Sequence, residues 1–310
     1  MTQTLVIVNP ASSGGATGRH WPALADRLEA AIGPFDVAMT DAPGSATALA
    51  RAALKGGTTR LIAVGGDGTV GEIVNGFFDQ DALINPEAAL GLIDAGTGSD
   101  FRRNLGFPAD QDQQIDILKR GQTKPMTIGH ADYQTINGEA ASRYFTVLCG
   151  FGVSPAVNEY VNQSPRLKRY GAAAAFAMAA LHMIVTFRNP SVQVQVDGKE
   201  VLSGPSLLGA TCNGQWVGGG MKMAPDGDMF APELDFILGG DIRFWQRLRL
   251  FSGIYGGRHI GSRNVYALKG QSLRAEALNG AEVLVDMDGD VIGTLPLTIR
   301  ALPNAIKVIC

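Results

Sequence analysis

Five residues, Gly65-Gly66-Asp67-Gly68-Thr69, separate a short apolar run at 61–64 from a segment whose apolar residues recur at Val70, Ile73, Val74, Phe77 and Phe78. That spacing reads as a strand, a glycine turn and an amphipathic helix. A turn of this kind leaves backbone N–H groups unpaired at a helix N-terminus, where the helix dipole favours an anion such as phosphate. A carboxylate in the middle of it, Asp67, would repel phosphate unless it holds a metal ion, a ribose hydroxyl or a proton destined for transfer. The loop therefore points to nucleotide chemistry.

The same alternation runs through the first 125 residues or so. Strands read at 4–8, 35–39, 60–64 and 89–93, and the helix after the first carries Trp21, Leu24, Ala25 and Leu28 on one stripe. This is a β/α repeat with a parallel sheet. After Lys124-Pro125 the texture changes to strands joined by turns, as in Val192, Val194 and Val196 followed by Asp197-Gly198. Further strands read at 144–149, 206–211, 234–238, 264–268, 272–275, 282–285 and 305–309, with helical insertions near 155–187 and 242–254. The predicted fold class is α/β: an N-terminal parallel-sheet nucleotide-binding domain and a second, mostly antiparallel β-rich domain. A chain of 310 residues, 45% of them hydrophobic, suits two cores, since a single core rarely grows much past roughly 250 residues.

Charge and cysteines narrow the function classes. A net charge of −3 gives no overall field for a nucleic-acid partner. Cys149, Cys212 and Cys310 are odd in number, far apart and without CxxC spacing, against both a disulfide framework and a zinc site. A reducing cytoplasm fits that pattern, and residues 5–8 follow no basic leader. The alanine-rich run at 171–187 is shorter than the roughly 20 residues a spanning helix needs.

Three glycine-rich turns follow three predicted strands of the first domain: residues 9–15, residues 65–69, and Ala95-Gly96-Thr97-Gly98-Ser99-Asp100. In an open parallel sheet, loops at the carboxyl ends of the strands gather on one edge, where ligands bind. The Walker A pattern is absent, so phosphates would be held by backbone amides and hydroxyls without a P-loop lysine. Gly66-x-Gly68-x-x-Gly71 also spells a dinucleotide fingerprint, with Asp94 at a strand end for a ribose hydroxyl. An aspartate between its first two glycines and a place inside the sheet weigh against that oxidoreductase reading.

The ordered set of Asn9 to Ser13, Gly65 to Glu72, Gly96 to Phe101, Gly150 to Gly152, Asn213 with Gly218 to Gly220, and Asp288-Gly289-Asp290 resembles the diacylglycerol kinase catalytic-domain family. That family includes soluble bacterial lipid kinases and the sphingosine kinases, and the match spans nearly the whole length. The resemblance implies a nucleotide domain at 1–125, completed by a return of the chain at about 294–310, and a β-rich lipid-substrate domain at 126–293. It implies ATP across Asn9, Pro10, Ala11, Ser12, Ser13, Thr40, Gly66, Asp67, Gly68, Thr69, Glu72 and Thr97, with Mg²⁺ accompanying the nucleotide and the lipid entering between the domains. The family's late Asp-Gly-Glu motif, proposed to carry the general base, reads Asp288-Gly289-Asp290 here, so Asp288 or Asp290 is the candidate base. Asp67 is an alternative base or a metal organiser. The residues themselves allow a plainer reading of Asp288-Gly289 as a hairpin turn, as at Asp197-Gly198.

Departures from the pattern carry expectations of their own. Ala231-Pro232 stand where the family usually has Asp-Gly, the Asp helping to hold a structural magnesium; alanine cannot ligate, so either no structural metal binds here, the favoured reading, or Asp228, Glu233 or Asp235 holds a displaced ion. Asp94 replaces the usual Pro and Ser99 the usual Asn. Arg166, Lys168 and Arg169 with an alanine and methionine surface up to Phe187 suit either a groove for acyl tails or plain packing. Phe244, Trp245, Leu248 and Phe251 with Arg243, Arg247 and Arg249 read as a packed helix or one resting on a lipid surface. His20, His130, His182 and His259 have no metal spacing and read as structural. The expected protein is a cytoplasmic, peripherally membrane-acting, ATP-dependent lipid kinase for diacylglycerol or a similar amphiphile, with a lipid substrate, transient membrane contact, no nucleic acid and a homodimer left open. The alternatives are a soluble kinase of the NAD kinase type, whose later Thr-Gly-Ser-Thr-Ala-Tyr-like segment is missing here, and a non-catalytic nucleotide or lipid sensor.

Overall fold

A computed structural model describes residues 3–164 and 172–310, so Arg166, Lys168 and Arg169 lie outside the described residues. The chain forms two compact units. One holds the residues up to Ile128 with Met229–Ala231 and Leu302–Cys310; the other holds Gly129–Asp228 and Pro232–Ala301.

The first unit is built from β1 (Thr4–Val8), α1 (Ser12–Ile32), β2 (Asp36–Met39), α2 (Ser45–Lys55), β3 (Arg60–Gly65), α3 (Asp67–Gly76), a small hairpin β4 (Phe78–Asp79) and β5 (Ala82–Leu83), β6 (Ala89–Asp94), α4 (Asp100–Asn104) and α5 (Gln111–Arg120). Its strands lie in the order β6-β3-β1-β2, all parallel, in the register Val6 to Ile62 and Val37, and Ile62 to Gly91. Val6, Ile7 and Val8, and Leu61 to Val64, are wholly buried, which is why these strands read as unbroken apolar runs. Each buried Val, Leu or Ile contributes about 1.5–3 kcal/mol. Helix α1 buries Trp21, Leu24 and Leu28, the expected stripe. Helices α2 and α3 meet through small residues: a Cβ on Gly76 would fall 2.6 Å from that of Ala50.

The second unit follows with β7 (Thr123–Gln134), β8 (Ala140–Phe145), β9 (Leu148–Gly152), α6 (Val153–Gln163), α7 (Ala172–Thr186), β10 (Ser191–Val196), β11 (Lys199–Pro205), β12 (Leu208–Cys212), a short hairpin β13 (Trp216–Val217) and β14 (Met221–Lys222), β15 (Leu234–Gly239), α8 (Phe244–Ile254), β16 (Val265–Gly270), β17 (Ser272–Ala277), β18 (Leu284–Met287) and β19 (Asp290–Ile309). Two antiparallel runs make it up, β16-β15-β12-β9-β18-β19 and β11-β10-β17-β19. Phe145, Phe151, Val192, Val194, Phe236, Leu238, Val285, Leu297 and Ile299 form its core. The rings of Phe145 and Phe151 lie over their cross-strand partners Gly129 and Gly209, where any Cβ would fall about 2 Å from the ring. Helices α6, α7 and α8 add a small cluster around Val157, Ala179, Ala180 and Phe251.

Three features depart from the strand pattern read in the sequence. The segment 144–149 is two strands interrupted at Thr146-Val147, because the backbone N–H groups there bond to the side chain of Asp288 instead of a neighbouring strand. Strand β7 starts before the expected domain boundary at Lys124-Pro125. Strand β19 is 20 residues long, where only 305–309 read as extended. Its first part pairs with β18 in the second unit, while Lys307 and Val308 pair with β6 in the first.

Candidate active site

Strands β1, β3 and β6 each end in one of the three glycine turns, and the turns are tied to one another. Asn9 donates through Nδ2 to Thr69 Oγ1 at 3.1 Å, linking the first turn to the second. Ser13 Oγ donates to the Ala95 carbonyl at 2.7 Å, linking the first to the third. The second and third are joined by Asp67, whose carboxylate accepts the N–H groups of Asp100 at 3.1 Å and Phe101 at 2.8 Å. Glycine makes this convergence sterically feasible. The Cα atoms of Gly66 and Gly96 stand where each other's Cβ would go, at 3.0 and 2.5 Å, and a Cβ on Gly98 would fall 2.7 Å from Asp67 Oδ2.

The surface so formed is open where an anion would lie. Ser13, Gly14 and Gly15 take φ of 50°, 62° and 83°, a left-handed run that glycine adopts freely, and a Cβ on Gly14 or Gly68 would meet nothing within 4 Å. Thr97 is exposed on the third turn. Burial raises the Asp67 pKa, partly offset by the two backbone N–H groups it accepts. Each of its oxygens keeps a lone pair for a metal-bound water or a hydroxyl. The residues present therefore fit a nucleotide phosphate chain, with Asp67 as the group able to orient an accompanying Mg²⁺.

Other sequence-selected residues serve as braces. Glu72 accepts the Gly44 and Ala46 N–H groups at 2.8 and 3.1 Å, capping α2, whose own N-cap is a glycine. Thr40 extends β2 by donating its N–H to the Val8 carbonyl. Asp94 accepts from Gly96 N–H and from Arg102 Nε at 2.9 Å, so both oxygens hold the third turn in place, which weighs against the ribose role of the dinucleotide reading. Arg102 was not singled out in the sequence; its spacing of eight from Asp94 is no motif, and only the fold brings the two together.

In the second unit Asp288 and Gly289, at φ of 47° and 97°, form the hairpin turn between β18 and β19. The Asp288 carboxylate accepts the N–H groups of Thr146, Val147 and Leu148 at 2.9 to 3.0 Å and the Thr146 hydroxyl at 3.1 Å. Asp197, in the other Asp-Gly turn at φ 47°, does the same for Gln271 and Ser272 N–H. Asp288 is thus a clamp on the break between β8 and β9, in keeping with the plainer hairpin-turn reading of Asp288-Gly289. Asp290 stands one residue past the turn, 67% exposed, with Arg143 at 3.3 Å.

Asp286, two residues before Asp288, carries no signal in the sequence. It is 0% exposed, with Ser154 Oγ and Asn158 Nδ2 of α6 donating to Oδ2 at 2.7 and 2.8 Å and Oδ1 unpartnered. Burial raises its pKa to about 6, against the bonds from Ser154 and Asn158. An unfolded aspartate titrates near 3.9, so between about pH 4 and 6 the folded state binds more proton than the unfolded one. Stability falls across that window as pH rises, by about 3 kcal/mol in all. Asp286→Asn is expected to remove that slope and to be about 2 kcal/mol more stable than the parent at pH 7.5, with little difference at pH 4. Urea unfolding of both proteins at the two pH values measures it, and equal differences at both would refute it.

The suggested structural-metal residues do not converge. Asp228 and Glu233 are exposed, and among the described residues no three His, Cys, Asp or Glu side chains come together as a metal site. Asp235 is held by Lys269 Nζ at 3.0 Å, and that ammonium also bonds the Asp226 carbonyl. Lys269 thus sets a fixed cation beside Asp235, where a displaced metal ion would have to compete with it.

The second unit also contains an apolar pocket of about 120 Å³, walled by residues such as Val153, Ile184, Leu207, Ile237, Leu250 and Phe251. Arg247 of α8 borders it, but its guanidinium caps the end of α7 by donating to the Ile184 and Phe187 carbonyls and to Asn189 Oδ1. It is therefore not one of the outward basic residues of α8. Phe244 and Trp245 are outward, Trp245 at 77% exposure, near exposed Arg243 and Arg249; Leu181 and Val185 form an exposed stripe on α7. Among the described residues no helix is long and apolar enough to cross a membrane.

The fold is a parallel-sheet domain with three linked glycine turns, followed by an antiparallel β-rich domain. Residues 3–131 match the diacylglycerol kinase catalytic domain and residues 147–310 the YegS C-terminal NAD kinase beta sandwich-like domain. The chain belongs to the diacylglycerol kinase family, and it is a kinase of that family. It is 26% identical over 298 residues to a diacylglycerol kinase of Bacillus subtilis (strain 168), covering 96% of this chain and 92% of the relative. It is 27% identical over 305 residues to a diacylglycerol kinase of Mycobacterium tuberculosis (strain ATCC 25618 / H37Rv), covering 98% and 93%. A crystal structure of a diacylglycerol kinase from Bacillus anthracis str. Sterne shares the fold, with a TM-score of 0.70 at 22% identity over 99% of this chain and 96% of that one.

Proposed function

We propose that the protein transfers the γ-phosphoryl group of ATP to a hydroxyl of diacylglycerol or a similar lipid. The observation that carries this reading is the locking of three glycine turns into one open surface through Asp67, Asn9 and Ser13. Phosphoryl transfer asks the protein mainly for positioning and for donors that meet charge on the phosphates. The turn amides supply those donors, and Mg²⁺ held through Asp67 would add a counter-charge to the triphosphate.

The acceptor lipid must lose its proton as the phosphoryl group arrives. Asp290 is the exposed acid of the late motif, with Oδ2 paired to Arg143 and Oδ1 left for the hydroxyl, and Asp288 fixes the turn that carries it. The apolar pocket, at about 120 Å³ somewhat smaller than the roughly 150 Å³ dry cavity that holds a benzene-sized molecule, suits a few methylenes of an acyl chain. Trp245, Phe244, Leu181 and Val185, with Arg243 and Arg249 beside them and no acid on either helix, suit transient contact with an anionic membrane surface. Three free thiols suit a cytoplasmic location for an enzyme working at that surface.

The test is transfer of labelled phosphate from ATP to diacylglycerol in phosphatidylglycerol vesicles, with co-sedimentation read in the same samples. Asp290→Asn is expected to lower kcat by about 10²-fold or more while ATP affinity and melting temperature stay at the parent values. Undiminished turnover in that variant removes Asp290 as the base. No labelled lipid from the parent protein removes the lipid-kinase reading.

A further inference from the structure

The structural magnesium that the family pattern implies would bind along the segment from Asp226 to Asp235, and the residues present do not fit it. Ala231 has no ligating side-chain atom, and a hard divalent ion takes about six or more oxygen ligands. Three carbonyls of the segment already meet donors of the protein. Met229 accepts the Thr127 N–H at 2.9 Å, Ala231 accepts the Thr127 hydroxyl at 2.6 Å, and Asp226 accepts from Lys269 Nζ at 3.0 Å.

The segment nevertheless calls for a positive charge. Asp226, Asp228, Glu233 and Asp235 fall within it, and it contains no basic residue. Asp235 is 7% exposed. Burial pushes its pKa up, and the charges of Asp226 and Glu233 add to that, against the bond and charge of Lys269. Lys269 stands directly across from Asp235 in the antiparallel pairing of β15 and β16, which sets its Nζ 3.0 Å from Oδ1 and 3.2 Å from Oδ2. With the Asp226 carbonyl, three oxygens from the two ends of the segment converge on one ammonium. Both ends belong to the second unit, whereas Met229–Ala231 between them belongs to the first. Lys269 therefore staples the points at which the chain leaves the second unit and re-enters it.

We propose that Lys269 is the resident cation of this segment: its ammonium does the work of a structural divalent ion, and the second unit keeps its fold without one. The test is thermal unfolding of the full-length protein without nucleotide, in EDTA and in about 10 mM Ca²⁺, an ion whose coordination tolerates an irregular set of oxygens. The parent is expected to melt at the same temperature in both. Lys269→Met, which keeps the stem and removes the charge, is expected to melt about 5 °C lower in EDTA. It is expected to regain about half of that in Ca²⁺, because Asp235 and the Asp226 carbonyl are released to a divalent ion. Should that variant fail to fold, the metal content of the dialysed parent decides. No stoichiometric magnesium or calcium is expected, since Asp67 without nucleotide phosphates is too sparse a ligand set to keep Mg²⁺ through dialysis.

A parent that melts lower in EDTA than in Ca²⁺, or that carries about one tightly held divalent ion per chain, would overturn the proposal. So would a Lys269→Met protein that melts with its parent in EDTA. A destabilised Lys269→Met protein that does not answer to Ca²⁺ would reduce the contact to an ordinary ion pair and overturn it equally. Phosphoryl transfer enters none of these measurements, so the lipid-kinase reading stands or falls apart from them.

Discussion

Alanine in place of Asp288 is expected to destabilise the protein by roughly 4 kcal/mol and to lower the melting temperature of the second unit by about 10 °C. The reason is the number of groups left without a partner. Three consecutive N–H groups, at Thr146, Val147 and Leu148, and the Thr146 hydroxyl all donate to this one carboxylate. They sit at the break between β8 and β9, where no neighbouring strand stands in. Unmet donors at part-buried positions cost roughly 1–3 kcal/mol each, moderated by whatever water reaches them. Asparagine is expected to be nearly as harmful, because its amide would set an N–H against N–H groups. Asp197→Ala serves as the control: it is the same clamp in an exposed turn and is expected to cost about 1 kcal/mol. Calorimetry on the three variants decides the matter. An Asp288→Ala protein that melts with its parent but has lost turnover would make this carboxylate catalytic after all.

The second large effect is expected at the nucleotide surface. Asp67→Ala is predicted to lower kcat/KM for ATP by about 10²-fold or more, because it releases the N-terminus of α4 from the turn after β3. A displacement of about 1 Å in a positioned catalytic group is enough for a loss of that size, and phosphoryl transfer depends on positioning more than on covalent chemistry. Asp67→Asn keeps one accepting oxygen for Asp100 or Phe101 and is expected to fall between alanine and the parent. Nucleotide affinity by calorimetric titration, set beside steady-state turnover, separates binding from chemistry. Turnover at the parent level in Asp67→Ala would show that the three turns hold together without it.

Much of this was legible in the residue order, for identifiable reasons. Parallel strands buried on both faces must be apolar throughout, so β1, β3 and β6 stand out. Glycine turns at their ends are visible because close approach of Gly66 to Gly96, and of Gly98 to Asp67, tolerates no side chain. The long strand β19 was mostly hidden, since Gly293, Pro296, Pro303 and Asn304 interrupt its apolar alternation and proline is ordinarily a sign against a strand. Asp286 was hidden for a different reason. In the alternation Leu284, Val285, Asp286, Met287 a polar residue should face water, but α6 covers that face with Ser154 and Asn158. Asp288 and Asp290 share one motif and yet differ in every contact, which spacing alone could not resolve.

The double service of β19 limits how members of this family can exchange parts. A nucleotide unit excised at Ile128 would lack the strand beside β6, leaving a row of backbone donors and acceptors bare and open to association with other chains. Grafting that half onto a foreign sandwich therefore takes splice points near residues 128 and 302 together with a counterpart of Met229–Ala231, and a chimaera made with a single junction should be recovered as aggregate.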